Sequence, residues 1–549
     1  MANTPDDGEA LLEQPATIFT AATVHAQTGR PTEAFAVAGE QVVASGRLDA
    51  LRRRFPRAAV HEFGAATVVP GLNDAHIHLA MTADDLLNLD LSHATVGSLD
   101  GLLDQVRSEA ARTGANQWVL GSRFDDAKTG ALSRRELDAA AGTVPTLVTH
   151  VAGHWAVANS AALAAFGYDD GSAPPAGGEL GRDAAGSLDG RLIERAMSSF
   201  GGNGPVPARS PADRLTGLRR AQQQWHAAGL TSICDAFVTP RDVALLQNAR
   251  RSGALTLRTA FLLDADHYGA AEALGLSSDF GDHHLRFAGV KAFVDGAVGG
   301  RTCLLSEPFT GTGDLGLQIT ETPALRDVIF RAHRDGTRVG VHANGDAAIR
   351  LLLEIVEDVV RAEPRPGLRH RIEHCSVVDD DILRRVKALD LVVAPFAGYA
   401  AYHGAALDRW YGPERVGRMF AHRSFLDAGI TVAGSSDYPC GPFQPLFGIQ
   451  SMVTRRGEDD GTVVGGGQRI TAAEALEVFT VGSAAATGQE SYLGRLQPGY
   501  LADFVVLGED PLAVDPASIA SIPVLQTYVG GKVVWSAASA GPVSGAAAV

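Results

Sequence analysis

The sequence is poor in cysteine and in basic residues. It has four cysteines among 549 residues, and they lie far apart, at Cys234, Cys303, Cys375 and Cys440. A disulfide-stapled scaffold is therefore excluded, and the spacing is typical of a protein from a reducing compartment. Lysine and arginine total 47 against 63 aspartates and glutamates, which leaves a formal net charge of −16. That balance argues against binding nucleic acid or an anionic membrane through a basic surface.

Long apolar runs are also missing. No uncharged apolar segment approaches the roughly 18 residues that a membrane-spanning helix needs. The longest candidates, such as residues 391–402, are short and contain proline and glycine. The N-terminal residues are acidic and lack the basic and apolar regions of a secretory signal. We therefore expect a soluble, cytoplasmic protein. The oligomeric state stays open, and a homodimer is the commonest assembly.

What the sequence does contain is a repeated alternation of strand-like and helix-like segments. Between about residues 70 and 490, apolar segments alternate with amphipathic ones, for example 337–345 followed by 346–363. Six or more such units predict an α/β fold, a (β/α)₈ barrel of the TIM type rather than an open doubly wound sheet. No G-x-G-x-x-G sequence follows a strand, which weakens a dinucleotide-binding alternative.

The two ends of the chain differ from the middle. Residues 1–69 and 491–535 contain short β-branched segments broken by glycine and proline. They predict one small β-sandwich built from both termini, with two unrelated β extensions as the alternative. Residues 83–215, approximately, break the alternation and predict an insertion over the barrel mouth. The small-residue segment 536–549 predicts a flexible tail.

Potential metal ligands stand at the ends of apolar segments. In a barrel of this type the C-terminal ends of the strands form the active-site face. His76 and His78 are two residues apart in NDAHIH, so on a strand they point to one side and can hold one cation. This pattern alone is a weak signal, and two core or solvated histidines are the alternative. His342 and His374 each end a predicted strand. Each alone is more often structural, but the pair offers what a second cation position needs.

Asp437 and Lys291 complete the candidate set. Asp437 follows a buried segment in AGSSDYP, where a carboxylate can bind metal and accept a proton from water, or can cap a turn. Lys291 lies in an apolar strand, where a lysine ordinarily extends its amine to solvent. Carboxylated by CO₂, the amine would become an anionic carbamate whose two oxygens can bridge two cations.

Taken together, the motifs resemble the amidohydrolase superfamily, and more narrowly its amidohydrolase-3 branch of N-substituted formamide deformylases and YtcJ-like hydrolases. The resemblance rests on PGLNDAHIH, KAFVDG, VHANGDAA, RIEHC, AGSSDYP and LQPGYLADFVVL, and it covers about residues 17–535. It implies a metal-bearing barrel with a β-sandwich formed by both chain ends. It also implies the following metal-ligand set: His76, His78, Lys291, His342, His374 and Asp437.

Within that set the resemblance assigns individual roles. Lys291 corresponds to the carboxylated bridging lysine, and Asp437 to the ligand that also serves as general base. The mononuclear deaminases of the superfamily carry an acidic glutamate three residues after the strand-5 histidine. Here His342 is followed by Ala-Asn-Gly-Asp, so that acid is absent and a deaminase is disfavoured.

Four more residues are candidates for substrate binding: His154, Trp155, Asn159 and Arg301. His154 and Asn159 lie in a segment that resembles a family region near the substrate, and a helix start with an asparagine cap is the alternative. Arg301 follows two glycines and could bind a substrate carboxylate or carbonyl, or hold its loop. Aromatic residues that could line a pocket for an apolar acyl or amine group, or simply pack, are Trp155, Tyr399, His403 and Trp410.

The leading hypothesis is hydrolysis of an amide or N-substituted formamide C–N bond in a small molecule, with one or two divalent ions, Zn²⁺ being the expected metal. Asp437 would transfer protons, and His374 or a second metal would polarise the carbonyl. The alternative enzyme is a mononuclear cyclic amidohydrolase or deaminase with an uncarboxylated Lys291. A non-catalytic binding barrel is a third hypothesis, disfavoured because all six candidate ligands are present.

Overall fold

A computed structural model describes residues 16–114, 117–151, 153–197 and 204–538. The predicted flexible tail, 536–549, lies outside the described residues from position 539 onward. None of the helices in the described ranges is long and apolar enough to cross a bilayer.

The centre of the molecule is a sheet of eight parallel strands, which we number barrel strands 1 to 8 in chain order. Their bounds are Leu72–Ile77, Leu230–Val238, Arg258–Asp264, Leu285–Phe293, Val339–Ala343, Arg371–His374, Val392–Ala394 and Thr431–Val432. Backbone hydrogen bonds join the segment after strand 8 to strand 1: Ala75 N–H donates to Gly434 O (2.8 Å) and Asp437 N–H donates to His76 O (2.8 Å). The predicted TIM-like barrel is confirmed.

Helices alternate with the strands of this barrel and pack around it and over one of its ends. They are Leu79–Asp85, Pro211–Ala227, Pro240–Arg251, Tyr268–Ala273, Thr322–Arg334, Asp346–Ala362, Asp380–Ala388, Tyr399–His403, Ala406–Tyr411, Pro413–Val416, His422–Asp427, Pro445–Thr454, Ala472–Glu477 and Ser483–Ala486. Helix Asp346–Ala362 shows why they pack there. Its buried residues Ile349, Leu352, Leu353 and Val356 recur every three or four positions and form one apolar face in the main core.

Strands from both chain ends form a second sheet. They are Thr17–Val24, Thr32–Ala38, Gln41–Gly46, Ala59–Glu62, Thr67–Pro70, Phe504–Leu507, Val524–Val529 and Lys532–Ser536, with helix Leu48–Arg54 beside them. Thr67–Pro70 pairs antiparallel with Phe504–Leu507, which joins the two ends. The rings of Phe35 and Phe504 lie 5.0 Å apart although two strands separate them in the sheet, so the sheet curls around an apolar core.

A third sheet lies in the chain between barrel strands 1 and 2. Its strands are Leu89–Asp90, Val119–Phe124, Thr146–His150, Trp155–Ala158, Gly178–Arg182 and Leu188–Glu194. Its helices are His93–Val96, Leu99–Ala110, Asp126–Thr129, Arg134–Ala141 and Ser160–Phe166. A methyl group built on Gly153 would lie 3.5 Å from the Cys440 sulfur, so this sheet approaches the loop that follows barrel strand 8.

Candidate metal centre

The barrel brings all six sequence-predicted ligands to its interior and to one end. Strand 1 carries His76, with His78 directly after it, while strands 4, 5 and 6 supply Lys291, His342 and His374. Asp437 follows strand 8. The buried ligand side chains are His76, His78, Lys291, His342, His374 and Asp437. Residues that are far apart in the chain therefore share one water-poor environment.

The tightest group consists of His76, His78 and Asp437. Asp437 Oδ1 lies 3.3 Å from His76 Nε2 and 3.0 Å from His78 Nε2. One ligand atom from each of the three residues lies within 4.8 Å of the others. Burial alone would raise the pKa of Asp437, but the surrounding histidines, His374 first among them, hold that pKa well below its usual value. The carboxylate is therefore ionised and can act as a ligand or a base.

His342 and His374 lie beside this group. The His374 ring is centred 4.6 Å from that of His76 and 4.6 Å from that of His342. Burial holds the pKa of His342 and of His374 well below the usual value, and it also lowers that of His78. Neutral imidazole is the form that binds metals. Within the described residues, Nδ1 of His78 and Nδ1 of His374 have no hydrogen-bond partner.

Lys291 points into the same space. Its Nζ lies 3.5 Å from His76 Nε2 and 4.9 Å from the centre of the Phe293 ring. Burial lowers the pKa of its amine to about 8 despite the opposing effect of Glu373 and Asp437. This amine therefore loses its proton more readily than the amine of an exposed lysine does.

Sequence reasoning missed Glu373, which contacts His76 on the side of the ring that faces away from Asp437. Its carboxylate accepts a hydrogen bond from His76 Nδ1, and Arg371 Nη2 donates to the same oxygen at 2.8 Å. Burial would raise the pKa of Glu373, but Arg371 and His76 outweigh it and lower that pKa below the usual value. Arginine and glutamate at alternate positions in an apolar strand were the available signal. Successive side chains of a strand point to opposite faces, but His374 has a φ of 71°, which interrupts this pattern. The side chain of His374 therefore reaches the cluster although it is next to Glu373.

His154, directly before strand Trp155–Ala158 of the third sheet, and Glu194, the last residue of strand Leu188–Glu194, lie near His342. Glu194 was also missed by the sequence analysis. His154 Nδ1 lies 2.9 Å from a Glu194 carboxylate oxygen, and the His154 ring is centred 5.3 Å from that of His342. Burial would lower the pKa of His154, but Glu194 outweighs it and the net shift is upward. Glu194 therefore favours the protonated form of the His154 imidazole, which lies beside His342.

The other predicted substrate residues lie in different surroundings. The Asn159 side chain accepts hydrogen bonds from Ala162 N (2.9 Å) and Thr146 N (3.0 Å), so it caps a helix, in line with the alternative interpretation. The Trp155 ring stacks on His150 at 4.2 Å. Arg301 lines a cavity of about 440 Å³ together with three of the four predicted pocket aromatics, Tyr399, His403 and Trp410. Trp155 is not part of that lining.

Buried imidazoles and a carboxylate at the strand ends of a (β/α)₈ barrel define a barrel enzyme with a metal-type donor set. A sequence model of the amidohydrolase family, in its Amidohydro_3 branch, matches residues 65–535. The chain belongs to the amidohydrolase family and is a hydrolase acting on C–N bonds. The family resemblance inferred from the motifs is thus confirmed.

Two relatives and one solved structure illustrate this relationship. YtcJ of Bacillus subtilis is 28% identical over 522 residues, which cover 93% of this chain and 97% of YtcJ. The N-substituted formamide deformylase of Arthrobacter pascens is 29% identical over 489 residues, which cover 87% of this chain and 90% of the relative. An uncharacterized metal-dependent hydrolase from Pyrococcus horikoshii superposes with a TM-score of 0.75 at 23% identity, over 91% of this chain and 99% of that one. The last comparison shows the shared fold.

Proposed function

We propose that this protein hydrolyses the C–N bond of an amide or N-substituted formamide with one or two divalent cations, Zn²⁺ being the metal that best suits the donors. The observation that carries the proposal is the convergence of His76, His78 and Asp437, with ligand atoms within 4.8 Å of one another in a buried site. Further support comes from the Arthrobacter pascens relative, which is named an N-substituted formamide deformylase.

The residues present fit such a metal. Imidazole nitrogens and a carboxylate oxygen are the donors that Zn²⁺ takes in catalytic sites. His78 and His374 each retain a buried ring nitrogen without a partner among the described residues, as expected for groups that await a ligand. His76, His78 and Asp437 would hold one cation, His342 and His374 would hold a second, and a carboxylated Lys291 would supply a further ligand. A cation bound there lowers the pKa of water and polarises a carbonyl.

The proton transfers fall to Asp437. Its ionised carboxylate accepts a proton as a water oxygen attacks the carbonyl carbon, and it returns that proton to the nitrogen as the C–N bond breaks. The products are a carboxylic acid, formic acid in the case of a formamide, and a free amine. In this proposal His374 and His154 stabilise the carbonyl oxygen, and Glu194 holds the His154 ring in place.

The mononuclear alternative, a cyclic amidohydrolase or deaminase, has one supporting observation. Among the described residues around the cluster, the group of potential ligand atoms within 4.8 Å contains His76, His78 and Asp437 but neither His342 nor His374. A single cation would satisfy that group. It would leave Lys291 as an unmodified amine with a positioning role.

Elemental analysis distinguishes these possibilities. Protein purified without added metal is expected to hold two divalent ions per chain and to release an amine from N-substituted formamides. Chelation should abolish that release, and added Zn²⁺ should restore it. One ion per chain would favour the mononuclear alternative. Failure to bind metal after reconstitution with Zn²⁺ would contradict the enzymatic proposal.

We also propose the domain division that the sequence predicted: a β-sandwich from 1–69 and 491–535, a barrel over 70–490, and an insertion at about 83–215 over the barrel mouth. The curled terminal sheet supports the first of these. The approach of Gly153 to Cys440 supports the last. A cytoplasmic location and a homodimeric assembly complete the proposal.

A further inference from the structure

The cavity lined by Arg301 and Tyr399 has features that the proposed chemistry does not use. Its volume of about 440 Å³ falls in the range of roughly 300 to 1,000 Å³ that is usual for small-molecule sites. Its lining includes Cys440, whose backbone N–H donates to the Asp437 carbonyl oxygen at 2.7 Å. The cavity therefore adjoins the loop that carries the proposed general base. Its lining also includes Arg301 and Arg409, which are not part of the ligand cluster.

A ladder of aromatic rings leads from the ligand cluster to this arginine pair. In order, its members are His374, Phe396, Tyr399, His403 and Trp410. Phe396 stacks on His374 at 4.2 Å and on Tyr399 at 3.7 Å. His403 follows, 4.8 Å from Tyr399 and 5.5 Å from Trp410. Since Tyr399, His403 and Trp410 all line the cavity, one of its walls is aromatic and suits a flat, apolar group.

Arg301 stands at the outer end of the ladder. Its guanidinium carbon lies 5.6 Å from the centre of the Trp410 ring, within the range of a cation–π contact. The backbone of Arg301 has a φ of 55°, a left-handed conformation that costs free energy in a residue other than glycine. Two residues earlier, a Cβ on Gly299 would lie 3.3 Å from the His403 ring, so a side chain there would require that ring to shift. The turn thus places Arg301 against the aromatic wall.

The charged side chains of the cavity wall differ in whether they have a hydrogen-bond or ion-pair partner in the protein. Its four carboxylates each have a hydrogen-bond or ion-pair partner in the protein: Asp125, Asp126, Asp459 and Asp460. Lys128 is paired with one of them, at 3.4 Å from Asp459. By contrast, the guanidinium groups of Arg301 and Arg409 form no hydrogen bond or ion pair with any residue that the structure describes. The cavity therefore offers two guanidinium groups whose hydrogen-bond donors have no partner among the described residues, while their charges act at longer range on Asp126 and Asp460.

From these observations we propose that the cavity is the specificity site for an amide whose non-reacting part is flat and apolar and ends in a carboxylate bound by Arg301. The ring of the substrate stacks on the aromatic wall. Its carboxylate accepts two hydrogen bonds from the guanidinium group of Arg301, and Arg409 adds positive charge nearby. This inference rests on the proposed function, since it describes the part of the substrate that lies beyond the bond to be cleaved.

The test compares two probes of equal shape, 4-(formamidomethyl)benzoate and the neutral 4-(formamidomethyl)benzamide. The metal-loaded wild-type protein is expected to prefer the carboxylate by about ten- to hundredfold in kcat/KM, the size of one charge-assisted hydrogen-bond pair. Arg301→Gln should bring the two values close together. Arg456→Gln, which removes an exposed arginine outside the cavity lining, should keep the preference. Calorimetric binding of both probes to the chelated protein gives a readout that does not depend on turnover.

The outcomes separate the two proposals. Hydrolysis of both probes at similar rates by the wild-type protein would overturn the inference and leave the proposed function standing. A carboxylate preference in binding that is lost in Arg301→Gln, without hydrolysis of either probe, would support the inference and contradict the proposed function. A preference that survives in Arg301→Gln would also overturn the inference, because the carboxylate would then be bound elsewhere.

Discussion

Glu373 lies behind His76 and accepts a hydrogen bond from its Nδ1, while Nε2 of the same ring faces Asp437 at 3.3 Å. Arg371 donates to the same Glu373 oxygen at 2.8 Å and to the carbonyl oxygen of Ala75 at 2.7 Å. A His76 ring that donates from Nδ1 to this carboxylate and binds a cation would use the lone pair of Nε2. Carboxylates that hold metal-ligating histidines in this way contribute substantially to metal affinity.

Glu373→Gln is accordingly expected to weaken metal binding by about ten- to hundredfold, because the ring loses its anionic partner. Competition with a chelating dye measures the affinity. Urea unfolding of the apo variant shows separately how far the fold is affected. Glu354→Gln alters an exposed glutamate on helix Asp346–Ala362 and serves as the control. An unchanged metal affinity in Glu373→Gln would show that His76 does not depend on this contact.

The Asp437→Asn variant is expected to bind metal but to lose activity. An amide oxygen can still coordinate, yet it cannot accept and return a proton, and general acid–base catalysis contributes about 10² to 10⁴ in rate. The measurement is kcat on an N-substituted formamide together with the metal content of the same sample. Asp427→Asn, on the helix before barrel strand 8, is the control. An unchanged kcat in Asp437→Asn would remove Asp437 from the proton transfers.

Carboxylation of Lys291 would increase the mass of the intact protein. Intact-mass measurement under mild conditions is expected to show a gain of about one CO₂ that acid treatment removes. The gain should be absent in Lys291→Met and present in Lys387→Met, which alters an exposed lysine. Loss of one of two bound cations in Lys291→Met would agree with a bridging role. If the wild-type protein carries no acid-labile mass, Lys291 acts as an amine.

The buried His226 predicts how stability depends on pH. Its Nδ1 lies 2.9 Å from Leu230 O and its Nε2 lies 2.9 Å from Thr256 Oγ1, and burial lowers its pKa to about 4. Because the unfolded chain takes up this proton at about pH 6.5, the contribution of neutral His226 is complete above that pH and is lost as the pH falls toward 4. Between pH 7 and pH 4.5 this group alone should cost about 2 to 3 kcal/mol of unfolding free energy.

Urea unfolding at the two pH values tests this expectation. The loss of stability on acidification should be smaller in His226→Gln than in the wild-type protein, although the variant is less stable at pH 7. His93→Gln, at an exposed histidine, should follow the wild-type pH dependence. Equal losses in the wild-type protein and His226→Gln would mean that the imidazole does not titrate as its surroundings imply.

The periodic parts of the fold were predictable from the sequence. Helix Asp346–Ala362 has its apolar residues on one face, and the strand before it is a short apolar segment with His342 as its last residue but one. Both patterns depend on neighbours within a few residues, so they are visible in the chain itself. The terminal strands were also foreseen, but their arrangement in one curled sheet depends on the pairing of Thr67–Pro70 with Phe504–Leu507, which no local pattern encodes.

Partners from distant parts of the chain were harder to predict. Glu373 was missed because its role depends on His76, which lies 297 residues away in sequence. Glu194 was missed because its partners His154 and Thr302 lie 40 and 108 residues away from it in the chain. For Asn159 the sequence allowed a substrate role or a helix cap, and the structure has its side chain in the capping bonds.

The sequence by itself determined the kinds of side chain that end the barrel strands, because hydrophobic periodicity marks the strands and the ligand residues stand out at their ends. Only the tertiary structure decided which of them meet. His78 and Asp437 are 359 residues apart in the chain and 3.0 Å apart in space, because the segment after strand 8 pairs with strand 1 and closes the ring. The site is a consequence of that closure, which depends on backbone hydrogen bonds between the two ends of the barrel rather than on any local signal.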